Sequence, residues 1–240
     1  MLAHKNLSAA FNPMVWRNFG AAHVVQAKIE NKMLSLTVFS SETGSLKQFT
    51  DIPLTGIIGK DRHQIHVAAD AVHKALFGTD GIASTRILYS VKQKPSHKRD
   101  WVSEIWSCDW DGANPKQITK EGSYCVTPVF IPPHTKFAND RFLYVSYKSG
   151  QPKIFLASLK DGAGKRLIDL KGHQMLPAIS PKRDKIAFIS DAGGNIDLFL
   201  QEFHPETGEV GKPVQLFSFP KATQASPTFS PDGSKSCLCI

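Results

Sequence analysis

The sequence predicts an α+β chain: a small N-terminal α/β domain over residues 1–82, then an incomplete β-propeller over residues 83–240. Three observations carry this reading. A proline-bounded stretch recurs as Thr127-Pro-Val-Phe-Ile-Pro132, Leu176-Pro-Ala-Ile-Ser-Pro181 and Ser226-Pro-Thr-Phe-Ser-Pro231, its leading prolines 49 and 50 residues apart. A fixed period of that size marks stacked supersecondary units. Short β-rich runs follow each copy, separated by Gly, Asn and Asp turn signals. Ahead of the repeats, residues 62–77 carry one apolar helical stripe.

The chain begins with Asn12-Pro13, an N-cap and first helical residue for a short helix through Trp16 and Phe19, stopped at Gly20. Val24–Ile29 alternates as a strand, Glu30-Asn-Lys32 reads as a hairpin turn, and Leu34, Leu36 and Val38 alternate with polar residues as a second strand. Leu46–Phe49 is a candidate third. Asp61 with Gln64 three residues on resembles a capping box for the helix. Ile65, Ala69, Val72 and Leu76 form its stripe, and Gly78 ends it.

Each later unit reads as a blade of four short strands. A strand between two prolines must be short and lie at a sheet edge, because proline donates nothing to the ladder. Second strands are Phe142–Ser146 and Ile186–Ser190, third strands Ile154–Leu159 and Ile196–Leu200, fourth strands Arg166–Ile168 and Val214–Phe217. The first unit has Ile87–Val91, Glu104–Cys108 and Lys116–Thr119 but no proline-bounded innermost strand. Ser236–Ile240 opens a further second strand. The chain thus amounts to three to three and a half blades.

The formal charge is +8, with a pI near 9.3 and the basic residues scattered. That leans toward acidic surfaces and is too mild to mark a nucleic-acid binder. The dense patch Lys92, Lys94, His97, Lys98 and Arg99 reads as a solvated hairpin loop. Cys108 and Cys125 sit in or beside apolar runs as buried thiols. The terminal Cys237-x-Cys239 is a weak metal signal, and the four cysteines do not fix a redox compartment. No apolar stretch reaches transmembrane length, and the N-terminus as written has no apolar core of a signal peptide.

Candidate chemistry is sparse. His63, His66 and His73 share the helix, but no carboxylate completes a metal site. Asp109-Trp-Asp-Gly-Ala-Asn114 lacks the closing Glu of a calcium loop, since Lys120 stands there, so an Asx-bonded turn is expected instead. No Gly-x-Ser-x-Gly elbow, phosphate loop or Gly-x-Gly-x-x-Gly occurs. The expectation is a binding module with no catalytic residue, metal or cofactor. The alternative class is an accessory propeller of the kind attached to prolyl-oligopeptidase-type peptidases, without the catalytic domain.

The passage Arg62-x3-His66-x3-Asp70, then Phe77-Gly78-x2-Gly81-Ile82-x2-Thr85-Arg86-Ile87, resembles the helix-to-propeller junction of the TolB family, periplasmic propeller proteins of the Tol-Pal system. Asn6–Phe11, Trp16-x3-Gly20-Ala21, Asp109-x-Asp111-Gly-x-Asn114, Tyr144-Val-Ser146 and Ser226–Gly233 are similar to the same family. Pro181-Lys-Arg-Asp184 departs from its usual Pro-Asp-Gly. The resemblance implies a six-bladed propeller, so this chain would be a fragment or a truncated product.

It also implies a non-catalytic periplasmic protein of outer-membrane integrity and cell division. Such a protein binds the peptidoglycan-associated lipoprotein Pal through its propeller. It engages TolA through a mature N-terminal segment that is expected to be missing here. The expected partner site is the set of loops entering the innermost strands: Val126 and Thr127; His173, Gln174, Met175 and Leu176; Ala225 and Ser226. His173-x3-Pro177-Ala178 matches a segment that contacts Pal in the family, so His173 and Leu176 carry over most directly, with Ala225 equivalent in the next blade.

Overall fold

A computed structural model describes residues 13–94, 100–133, 140–217 and 225–239. The Asn6–Phe11 motif, Asn12 and the basic residues His97, Lys98 and Arg99 lie outside them. The chain divides into two compact units, residues 1–85 and 86–240.

The first unit holds α1 (Pro13–Arg17), the antiparallel strands β1 (His23–Glu30), β2 (Met33–Ser40) and β3 (Leu46–Pro53), and α2 (Ile58–Phe77). Asn31 and Lys32 take φ of 50° and 62° at the β1–β2 turn, the left-handed pair a two-residue hairpin needs. Leu34 and Val38 are buried on the same side of β2. Helix α2 starts a turn earlier than the capping-box reading placed it, after Ile57, which makes no side-chain cap bond. Asp61 therefore lies inside the first turn and reaches back. Its carboxylate accepts the backbone N–H groups of Thr55 (2.6 Å) and Gly56 (2.8 Å) and the Thr55 hydroxyl. The inward line of α2 also differs from the expected stripe. Ala68 and His66 are buried and Val72 and Leu76 half-buried, whereas Ile65 and Ala69 are exposed. Gly78 ends the helix at φ 73°, its N–H bonded to the Lys74 carbonyl.

Asp70 explains why the junction motif has its spacing. One turn after His66 on α2, its carboxylate accepts the N–H groups of Ala83 (2.7 Å) and Ser84 (2.8 Å) and the Ser84 hydroxyl. Gly81 passes so close to the Asp70 backbone that a Cβ would lie 2.8 Å from its Cα. Burial opposes ionisation of Asp70, but the Ser84 and Ala83 hydrogen bonds outweigh it and hold the carboxyl below its usual range.

The second unit is antiparallel throughout its ladders. One sheet holds β4 (Arg86–Gln93), β5 (Val102–Asp109) and β6 (Lys116–Gln117). The next runs β7 (Cys125–Phe130), β8 (Arg141–Ser146), β9 (Lys153–Ser158) and β10 (Lys165–Arg166). The third has β11 (Gln174–Ile179), β12 (Lys185–Ser190) and β13 (Asp197–His204), with both β14 (Glu209–Val210) and β15 (Val214–Phe217) paired to β13. The last pairs β16 (Ala225–Phe229) with β17 (Ser236–Cys239). The Asp109–Asn114 turn is Asx-bonded as expected, with Asp111 Oδ1 accepting the Ala113 N–H and Asp109 Oδ2 the Asn114 amide.

The continuous apolar runs follow from burial on both sheet faces. Side chains alternate along a strand. Phe142 and Tyr144 of β8 pack toward Ile105 and Ile118 of the preceding sheet, while Leu143 and Val145 pack toward Ile186 and Phe188 of the following one. Each fully buried side chain of that size is worth about 1.5–3 kcal/mol.

Arg183 explains the departure from Pro-Asp-Gly. It takes φ 66°, as Gly233 does at 68° in the next copy. Strain at a left-handed Arg is offset by its guanidinium, buried and paired to Glu206 at 2.6 Å. Arg141 of the neighbouring sheet donates to the carbonyls of Pro205 and Glu206 on the same hairpin. Cys108 and Cys125 are buried free thiols, and burial pushes the Cys125 thiol up strongly.

Two outcomes are expected in denaturant unfolding. Asp70→Ala should cost about 1–2 kcal/mol at neutral pH through lost hydrogen bonds. Because the folded carboxyl is held low, its contribution is full above the ordinary range near ~4 and fades as pH falls through the folded-state value. The gap between variant and parent should therefore narrow toward pH ~3. Glu206→Ala should cost on the order of 2 kcal/mol by removing a charge-assisted hydrogen bond from the buried Arg183 guanidinium.

Candidate partner-binding surface

The strands predicted to be confined between prolines are longer than that. β7, β11 and β16 begin before their prolines and run through them. Thus Val126, Thr127, Gln174, Met175, Leu176, Ala225 and Ser226 are strand residues, and among the eight expected positions His173 alone precedes its strand. The expectation of entry loops is corrected by a β-bulge. Pairing is regular at Val126↔Val145, skips Thr127 and Pro128, and resumes at Val129↔Leu143. The same break separates Met175 from Ala178 and Ala225 from Thr228. Two residues on the bulged strand thus face one on its partner, which for the first two copies is Tyr144 and Phe188, both fully buried.

Proline dictates the device. It brings no N–H to the ladder, and in each of these strands pairing lapses at the proline and resumes one register step on. In each copy the residue before the proline turns left-handed: Thr127 at φ 47°, Leu176 at 50° and Ser226 at 54°. A non-glycine residue there is strained, and a β-branched one more so. Thr127 and Ser226 are exposed, Val126, Met175 and Leu176 half-buried.

His173 is fixed on both sides. Its backbone N–H donates to Asp191 Oδ1 at 2.6 Å, its ring Nδ1 pairs with Asp191 Oδ2 at 2.6 Å, and its carbonyl accepts the Ser190 hydroxyl. Its side chain remains 44% exposed. Burial works against the Asp191 charge, but the His173 contacts prevail and hold its carboxyl below the usual range. Gly172 is required beside this pair, since a Cβ would meet Asp191 Oδ1 at 2.0 Å. Gln174, by contrast, is fully buried. Its amide donates to the Leu170 carbonyl at 2.8 Å and its backbone N–H to Pro152 at 2.9 Å, so it positions the strand and offers nothing to a partner.

The approaches to β7 and β11 are held by buried polar side chains that sequence patterning does not single out. Glu104 on β5 accepts the Thr119 hydroxyl (2.5 Å) and the Gly122 N–H (2.6 Å), just ahead of β7. Lys153 on β9 donates to the carbonyls of Leu170 (2.9 Å) and Gly172, just ahead of β11. Burial, helped by Arg166, pushes the Lys153 amine down. Asp197 on β13 accepts the Gln215 amide at 2.6 Å. A polar residue amid apolar β positions was the available signal. No group of three or more His, Cys, Asp or Glu side chains suited to a metal comes together among the described residues. None of their helices is long and apolar enough to cross a membrane.

Residues 73–239 match the TolB beta-propeller domain family. The protein TolB homolog of Protochlamydia amoebophila is 51% identical over 216 residues, covering 90% of this chain and 46% of that protein. The protein TolB homolog of Chlamydia felis is 42% identical over 185 residues, covering 77% and 43%. The chain thus spans a little under half the length of these curated relatives. The crystal structure of TolB from Acinetobacter baumannii aligns with a TM-score of 0.65 at 20% identity, over 95% of this chain and 66% of that one, which shows a shared fold.

Strain at the bulges predicts opposite responses at one exposed position. Thr127→Asn should stabilise the protein by up to about 1 kcal/mol, because Asn tolerates the left-handed region. Thr127→Val should destabilise it by a similar amount. Thermal melting of the pair checks the sign.

Proposed function

The chain belongs to the TolB β-propeller family, and on that premise we propose that it is a non-catalytic, protein-binding component of a Tol-Pal envelope system. In this reading the protein acts in the periplasm, in outer-membrane integrity and cell division. The sheets β4–β6, β7–β10, β11–β15 and β16–β17 are blades of a six-bladed ring, and the ends of β7, β11 and β16 near their bulges face the partner. That partner is a Pal-type lipoprotein. A TolA-type protein is a second partner in the same system, engaged elsewhere.

The observation that carries the reading is the repeated bulge. Three consecutive sheets hold a strained residue before proline at the same strand position. Backbone strain held at equivalent sites marks these strand ends as candidates for binding, and bulges are over-represented at sheet edges and next to functional sites. Beside the second bulge stand an oriented imidazole and the adaptable Met175. Nothing in this arrangement resembles a nucleophile paired with a base.

Calorimetric titration of the whole gene product with the soluble domain of the Pal-type lipoprotein from the same cell tests this. His173→Ala and Leu176→Asp should each weaken binding, by on the order of 1–2 kcal/mol for a central contact. The half-exposed His173–Asp191 pair should add only about 0.5 kcal/mol to stability, so melting should barely move. Unchanged affinity in both variants, or no binding by the unsubstituted protein, contradicts the proposal.

A further inference from the structure

In the second and third sheets, the position one step outside the last pair of the first ladder is filled differently. In the third sheet it is the His173–Asp191 pair. In the second sheet it is Tyr124 and Tyr147, which flank the Cys125↔Ser146 pair as His173 and Asp191 flank Gln174↔Ser190. Their rings meet edge to face with centroids 6.3 Å apart, and the Tyr147 N–H donates to the Tyr124 carbonyl at 3.0 Å. They are 40% and 38% exposed. Tyr124 in turn is bridged to Ser103, two residues from Trp101 at the start of β5. Trp101 is 47% exposed, with the Lys92 ammonium 5.1 Å from its ring centre. Strand register therefore puts Trp101, Tyr124, Tyr147 and His173 on the same end of three consecutive sheets.

Packing does not explain these rings. The apolar layers between the sheets are filled by other side chains, and neither tyrosine belongs to them. Exposed aromatic residues clustered beside a strained backbone match the composition of protein-interface anchors, where Trp and Tyr dominate. We infer that Trp101, Tyr124 and Tyr147 form an aromatic rim that anchors the protein partner by apolar contact, with His173 beside it setting orientation. The inference rests on the partner-binding reading above and deepens it. The rim fits a folded protein surface presenting aliphatic or prolyl side chains to the rings, and binding should therefore persist as salt is raised.

The test uses the whole gene product and the soluble domain of the Pal-type lipoprotein. Tyr147→Ala and Trp101→Ala should each raise Kd by about tenfold or more, as central anchors do. Tyr147→Phe should keep the parent affinity because the ring, not the hydroxyl, makes the contact. Trp110→Ala is the control: Trp110 is 43% exposed at the other end of β5 and should leave Kd unchanged. Melting temperatures, measured alongside, exclude unfolding as the cause.

Parent-like Kd in both Ala variants, while His173→Ala loses affinity, overturns the rim and leaves the partner reading standing. Loss of binding at high salt with parent-like Ala variants moves the contact to charged groups such as Lys92 and also overturns it. No binding by the unsubstituted protein overturns both.

Discussion

A proline in the first strand of a sheet cannot donate a ladder hydrogen bond, and much of the second unit is built around that deficit. The strand survives by bulging, so that two residues face one and the residue before the proline turns left-handed. Because Pro128, Pro177 and Pro227 recur at one position, the bulge does too, at Thr127, Leu176 and Ser226. The partner strand then meets the bulge with a large buried ring, Tyr144 or Phe188, which seals the inter-sheet layer. Local strain and global packing are thus two sides of one constraint.

Such strain persists only where the surroundings over-determine it. Glu104 and Lys153 supply part of that determination. Each is a buried charged group whose partners lie on the segment leading into the next bulged strand. Glu121 adds a second tie beside the first bulge. Burial opposes its charge, but Lys148, Ser146 and Tyr144 prevail and keep the carboxyl low. These groups are worth little if any partner is missing and rigidify the approach when all are present. Their chemistry differs from sheet to sheet while their position does not, as does the exposed pair just outside the ladder. Repeated geometry with varied side chains gives each sheet a different surface at the same level.

Much of the fold was legible in the sequence because period-2 apolar runs and Gly or Asp turns are local signals. Strands near Phe142, Ile154, Ile186 and Asp197, the Asn31-Lys32 hairpin and the Gly78 stop all lie where composition places them. The misses have physical causes. Asp61 looks like a cap by type and spacing, but a carboxylate can serve a loop behind it as readily as the helix ahead. The inward line of α2 could not be fixed because Ile65 and Ala68 are both apolar enough for it. The bulges were invisible because a proline signals lost pairing, not how the chain recovers register. Of the expected partner residues, Gln174 is consumed internally. His173 stands where a partner can meet it, but its orientation depends on Asp191, eighteen positions downstream and outside any local pattern.

The central claim is that the ends of the strands at these bulges face a protein partner. Hydrogen–deuterium exchange of the whole gene product, with and without the Pal-type lipoprotein domain, tests it most directly. The account predicts slowed exchange in peptides covering residues 122–128 and 172–178, with peptides over β9 and β13 unchanged. Protection confined to other segments, or none at saturating partner, would contradict it.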